Sequence, residues 1–216
     1  MKSKPSRSRG VRNPGRNAAL FGLGAVAGVV LIILGVSDMR ETGRSGSPLL
    51  MLGLFPALLC PIFFIYYATR IGVFRDMRLG RSAIARWTVP KDEFKRFCED
   101  DRCIPASNTL TNFYKPPETI PAEGVEVIFS DHGVLIDGGY FPLSVIGGRR
   151  LRSVRTIASD PPSLEFAMTL TTRVRTSSAT TQSVRTAVTL RVPVAIEAAG
   201  QAAEVARRYL AIFDHH

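Results

Sequence analysis

Apolar positions fall into two regimes along this chain. From Ala18 to Val36 they are almost continuous: nineteen residues with no charged side chain. At about 1.5 Å of rise per residue, a helix of that length spans roughly 28 Å, close to the ~30 Å of a bilayer's hydrocarbon core. A second uncharged run, Pro48 to Ala68, follows a short polar connection. Neither run keeps the polar face that a buried helix of a soluble protein shows. The first run is longer than the apolar core of a cleaved signal peptide. It ends in "GVSDMRE", which lacks a small-residue cleavage site. The pattern predicts a pair of membrane-spanning helices at about 18–38 and 48–69. Pro56 and Pro61 predict a bend in the second. Gly24 and Gly28 form a G-x-x-x-G spacing, which lets another helix backbone approach closely. They are the candidate helix-packing residues, either for the partner helix of the hairpin or for a second copy of the chain.

Beyond residue 87 the pattern becomes that of a small soluble domain. "SAIARWTVP" reads as a strand and "KDEFKRFCEDD" as a short helix with acids in its first turn. Residues 104–123 are rich in Pro, Thr and Asn and read as a loop. "VEVIFSDHGVLIDGGYFPL" reads as two β runs about the turn "SDHG". "RRLRSVRTI" and "SLEFAMTLTTRVR" are strands separated by "ASDPP". In "SVRTAVTLRVPVAI", Val188, Leu190, Val192 and Val194 alternate with more polar positions, as on a half-buried strand. Ala198, Ala202, Val205, Tyr209 and Ile212 make an apolar stripe at helical spacing. The predicted class is α+β. Two transmembrane helices are followed by a mostly antiparallel β unit of five or six strands, with a helix covering its open side.

Charge sharpens this division. The chain of 216 residues has a net charge of +10. Residues 1–17 contribute +6, residues 38–47 zero, residues 70–86 +4 and residues 87–216 zero. The high pI therefore comes from two short basic segments, and no nucleic-acid partner is expected. Cationic flanks stay on the cytoplasmic side of a membrane. Both termini are thus expected in the cytoplasm, with a multi-pass anchor in the membrane and the 38–47 loop outside. The domains expected are a basic disordered N-terminus (1–17), the transmembrane hairpin (18–69), a basic juxtamembrane segment (70–86) and a soluble cytoplasmic β-rich domain (87–216).

The order of elements in the soluble part, carried by "VIFSDHGVLIDGGYFPLSVI" followed by "LRSVR", resembles bacterial pleckstrin-homology-like domains attached to paired membrane helices. The likeness covers about residues 124–213 and implies a half-barrel closed by a C-terminal helix. Residues 88–123 are an insertion relative to that pattern.

Candidate chemistry is sparse. His132 lies in a turn, and no histidine neighbours a serine or cysteine in a recognised nucleophile arrangement. No phosphate-cradling or zinc-protease motif occurs. Cys98 and Cys103 form C-x4-C without a second pair, so neither a metal nor a cofactor is expected. Glu99, Asp100 and Asp101 read as a solvated helix end. The remaining candidates are Arg149, Arg150, Arg152 and Arg155, because clustered guanidiniums suit phosphate or carboxylate. Regular strand alternation puts Arg150 and Arg152 on one face and Arg149 and Arg155 on the other. Two readings of function stand. The chain is either a non-catalytic, membrane-anchored interaction module for a protein or lipid-headgroup partner, or an accessory subunit of a larger membrane complex. An enzyme with an unrecognised site is the third. A homo-oligomer through the first helix is an additional expectation.

Overall fold

A computed structural model describes residues 7–43, 46–103, 112–143, 149–175 and 181–214. Residues 176–180 of the flexible connection expected at 176–182 and residues 104–111 of the 104–123 loop lie outside them. The fold is α+β and divides into two compact units. One is Asn13–Asp76; the other joins Met1–Arg12 to Met77–His216.

The first unit is the helical pair α1 (Pro14–Thr42) and α2 (Pro48–Arg78), the end of α2 passing into the second unit. Both are long and apolar enough to cross a membrane. They overrun the predicted spans, so residues 70–78 continue α2 rather than forming a separate juxtamembrane segment. The helix is continuous through Pro56 and Pro61. Glycines let the two backbones approach. A Cβ on Gly28 would meet the Ala57 amide nitrogen at 2.6 Å, and one on Gly24 would meet the Cys60 sulfur at 2.9 Å. On α2, a Cβ at Gly53 would strike the Gly28 carbonyl oxygen at 2.6 Å. Phe21 stacks on Phe63 and Tyr67 at centroid distances of 5.0 and 5.6 Å. The G-x-x-x-G face is therefore occupied by the chain's own second helix. Leu23, Val26 and Ile33 remain exposed on α1.

The second unit contains β1 (Ala85–Val89), α3 (Lys91–Cys103), β2 (Val125–Ser130), β3 (Gly133–Ile136), β4 (Gly139–Pro142), β5 (Arg149–Ile157), β6 (Ser163–Arg175), β7 (Thr181–Pro193) and α4 (Ala199–Asp214). Its seven described strands form a four-stranded antiparallel sheet, β1-β2-β3-β4, and a three-stranded one, β5-β6-β7. This differs from the five or six strands expected. The stretch around "SDHG" holds three strands, not two. Asp137 and Gly138 make a second tight turn with φ of 48° and 68°, pairing Ile136 with Gly139. Positive φ at both central residues is the two-residue hairpin geometry that an Asp-Gly dipeptide favours.

Both sheets share one core. Phe129 on β2, Phe166 on β6 and Tyr209 on α4 form a ring cluster with centroid distances of 5.3–6.4 Å. The Tyr209 hydroxyl donates to the Ser130 carbonyl at 2.5 Å, and burial pushes that phenol's pKa up. Trp87 packs on Phe129 and donates its indole N–H to the Pro193 carbonyl at 3.1 Å, tying β1 to the end of β7. The apolar stripe is buried as the spacing predicts, at Ala202, Val205 and Tyr209 of α4 and at Ala198 in the turn just before it.

The basic N-terminus is the main departure from expectation. Residues 7–12 are not a disordered tail but a strap bound to the β unit through isolated bridges at Ser8 and Val11. The Ser8 amide donates to the Phe113 carbonyl at 2.7 Å, and the Ser8 carbonyl accepts from the Lys115 amide at 2.8 Å. Val11 and Tyr140 exchange two backbone hydrogen bonds of 3.0 Å. The Phe113 amide in turn donates to the Thr189 carbonyl at 2.6 Å. A backbone path thus runs from β4 through residues 8–11 and 112–115 to β7, joining the two sheets. The arginines, read as solvated charge, have acidic partners here: Arg7 with Asp101 (3.2 Å), Arg9 with Glu118 (2.6 Å), and Arg12 with Asp137. Composition alone could not reveal this, because the partners lie over 90 residues away in sequence.

Gly139 controls that docking: a Cβ there would sit 2.0 Å from the Arg9 carbonyl oxygen. We expect Gly139→Ala to displace the strap and accelerate tryptic cleavage after Arg7, Arg9 and Arg12 by at least tenfold in limited proteolysis. Unchanged cleavage would show that the strap is not held at this point.

Candidate functional site

The candidate site is the outer face of the three-stranded sheet, opposite its core-facing Leu164, Phe166, Val188, Leu190 and Val192. Strand alternation alone misplaces one of its arginines. A register shift between Leu151 and Ser153 leaves an extra residue in β5. Core contacts then fall at Leu151 and Val154, three apart instead of two. A bulge re-aims the side chains that follow it. Arg155 consequently joins Arg150 and Arg152 on the outer face instead of taking the opposite one. Arg152 donates to the Thr169 hydroxyl at 3.3 Å, and the backbone register sets Arg150 opposite that same Thr169. The side chains of Arg149 and Cys103 lie outside the described residues.

Arg155, Glu165 and Arg191 stand side by side across β5, β6 and β7. Arg155 Nε donates to Glu165 Oε1 at 2.7 Å and Arg191 Nε to Glu165 Oε2 at 2.9 Å. Glu165 is buried beneath the two guanidiniums. Both carboxylate oxygens are thereby engaged, one by each guanidinium. The network continues inward. The Arg191 amide and the Tyr114 amide both donate to Asn112 Oδ1 at 3.0 Å, and Asn112 Nδ2 donates to Asp101 Oδ1 at 3.0 Å. Asp101 then meets Arg7 of the strap. So the "CEDD" acids do not converge: Asp101 turns inward as a structural acceptor, while Glu99 and Asp100 are exposed. Among the described residues no group of three or more His, Cys, Asp or Glu is arranged to hold a metal ion.

Elsewhere the described surface offers two open grooves. One, of about 580 Å³, is lined by Arg7, Cys98, Arg102, Lys115 and Glu118. The other, of about 480 Å³, lies among Arg78, Thr88, Glu126 and Asp137. Cys98 borders the first but is buried, and burial raises its thiol pKa to about 11. Only the thiolate attacks, so this cysteine is inert near neutrality. His132 is exposed in the β2–β3 turn, where its carbonyl accepts from the Leu143 amide at 2.9 Å.

The arginine cluster was legible as composition. Arg185 was missed, because it lies 30 residues beyond the end of that cluster and only the β6–β7 register brings it to the same face, opposite Thr171. No family model, curated protein or solved structure matches this chain.

Two measurements follow. Glu165→Gln leaves two cations facing a neutral amide. We expect it to destabilise the β unit by about 2 kcal/mol, below the ~3–5 of a fully buried pair because Arg155 is largely solvated. The emission of Trp87, the sole tryptophan, reports the unfolding midpoint. Arg155→Gln should cost under about 1 kcal/mol by the same readout. In a Cys60→Ala, Cys103→Ser background, iodoacetamide at pH 7 should label Cys98 only after denaturation.

Proposed function

We propose that this chain is a membrane-anchored, non-catalytic interaction module held on the cytoplasmic face of a bacterial inner membrane. The observation that carries the reading is the docked strap. Residues before the first apolar helix and residues after the second build the same β unit. They must therefore lie on one side of any bilayer that the hairpin enters, and two crossings satisfy that requirement. The flanking charges select the side: both basic segments border the β unit, whereas the 38–47 loop is neutral. No Asp, Glu, Lys, Arg or His lies within either apolar run, which argues against an ion or proton path.

Four strands, then three, then a covering helix is also the order that supports the pleckstrin-homology-like half-barrel reading. What such a unit offers a partner here is an arginine-bearing sheet face. Because Gly24 and Gly28 are taken up by α2, self-association through α1 would use its Leu23–Val26–Ile33 face.

A fluorescent protein fused after Asp214 should fold and fluoresce in a bacterial host. A cysteine introduced at Gly46 should react with a membrane-impermeant maleimide from outside intact cells. A dark fusion together with an unreactive loop would overturn the topology. Stoichiometric copurification of an integral membrane protein from gently solubilised membranes would instead favour the accessory-subunit reading.

A further inference from the structure

Residues 87–216 are neutral in sum, yet their charge is segregated. Residues 149–195 carry eight arginines against only Asp160 and Glu165. Asp160 pairs with Arg96 at 2.7 Å, and Glu165 is engaged by Arg155 and Arg191. Arg150 and Arg185 are exposed and take part in no ion pair among the described residues; Arg152, also exposed, donates there to the Thr169 hydroxyl. Arg150 lies opposite Thr169 and Arg185 opposite Thr171, so they flank β6 about 10 Å apart across the sheet.

We propose that this outer face of the β5–β6–β7 sheet docks on an anionic lipid surface through Arg150, Arg152 and Arg185. The inference rests on the membrane-anchored reading above and names the partner of that site. The described side chains around the arginines are Ser153, Ala167, Thr169, Thr171, Ser183 and Ala187, all small. Such a face has no aromatic anchor of the kind that carries a protein–protein hot spot, and no ring on which a nucleobase stacks. Clustered guanidiniums on a small, hydroxyl-rich surface suit phosphodiester oxygens, which they bind in a fork. Only six residues, 79–84, separate α2 from β1, so a bilayer holding the hairpin is present at high effective concentration.

The test uses the full chain in nanodiscs of phosphatidylcholine alone or with roughly one third phosphatidylglycerol. An environment-sensitive fluorophore is attached after Ala187→Cys in the Cys60→Ala, Cys103→Ser background; buried Cys98 is left in place. We expect the label to shift to the blue in the anionic discs and not in the neutral ones. Raising salt to about 0.5 M should reverse the shift, since the screening length then falls to a few ångströms. Arg150→Glu with Arg152→Glu and Arg185→Glu should abolish it. Each arginine near an anionic surface contributes about a fivefold factor, so the three together are worth on the order of 100-fold in docking. Native Trp87 emission in the triple variant confirms folding, and the salt arm on the unsubstituted chain stands if that variant fails to fold. Equal emission in both disc types, or a shift insensitive to salt, overturns the lipid proposal while leaving the anchor intact. A chain that does not enter the discs overturns both. If a 20-nucleotide DNA strand binds the neutral discs and the triple variant loses it, the face belongs to nucleic acid and the lipid assignment fails.

Discussion

An open sheet edge leaves a row of N–H and C=O groups that must find partners. In this protein the edge of β4 and the edge of β7 are served by two short segments that are not strands of either named sheet. Residues 8–11 pair with Tyr140, and residues 112–115 pair with both Ser8 and Thr189. Without them the four-stranded and three-stranded sheets would share a core but present two facing unpaired edges. The rest of the second unit depends on that closure, because Arg7, Asp101, Asn112 and Arg191 then form one polar chain from the strap to the outer sheet face.

The consequence reaches the hairpin through covalent connectivity alone. Residues 13–76 are an insertion within a β unit built from chain on both sides of them. A domain interrupted in this way cannot complete itself until both of its segments are on the same side of a bilayer. The close backbone approach of Gly28 to Ala57 and of Gly53 to Gly28 keeps the two helices together without polar side chains. Their remaining surface is aliphatic and aromatic, which suits lipid tails.

A second consequence concerns charge. Glu165 offsets one of the two charges in its own rank, between Arg155 and Arg191, and leaves the next ranks without an acid. The bulge at Arg152 lets β5 keep Leu151 and Val154 in the core while presenting Arg150, Arg152 and Arg155 together on the other side. A regular strand would have divided these arginines between a buried and an exposed face, at a prohibitive desolvation cost for the buried ones.

Much of this was written locally in the chain. The two apolar helices, β1 in "ARWTV", the α3 and α4 helices and the alternating core residues of β7 follow from periodicity and length, which neighbouring residues impose without tertiary help. So does the grouping of Arg149, Arg150, Arg152 and Arg155, though not their facing. What only the tertiary structure decided are the features that need residues far apart in sequence. The docking of Arg7–Arg12 depends on acids at positions 101, 118 and 137. The pairing of β4 against β3 follows the second tight turn at Asp137–Gly138, whose signal lay inside a stretch read as one run. The facing of Arg155 depends on a bulge, and the arrival of Arg185 on the register of a long hairpin. Pairing register and edge closure are set by long-range contacts, and a local pattern of polar and apolar residues does not encode them.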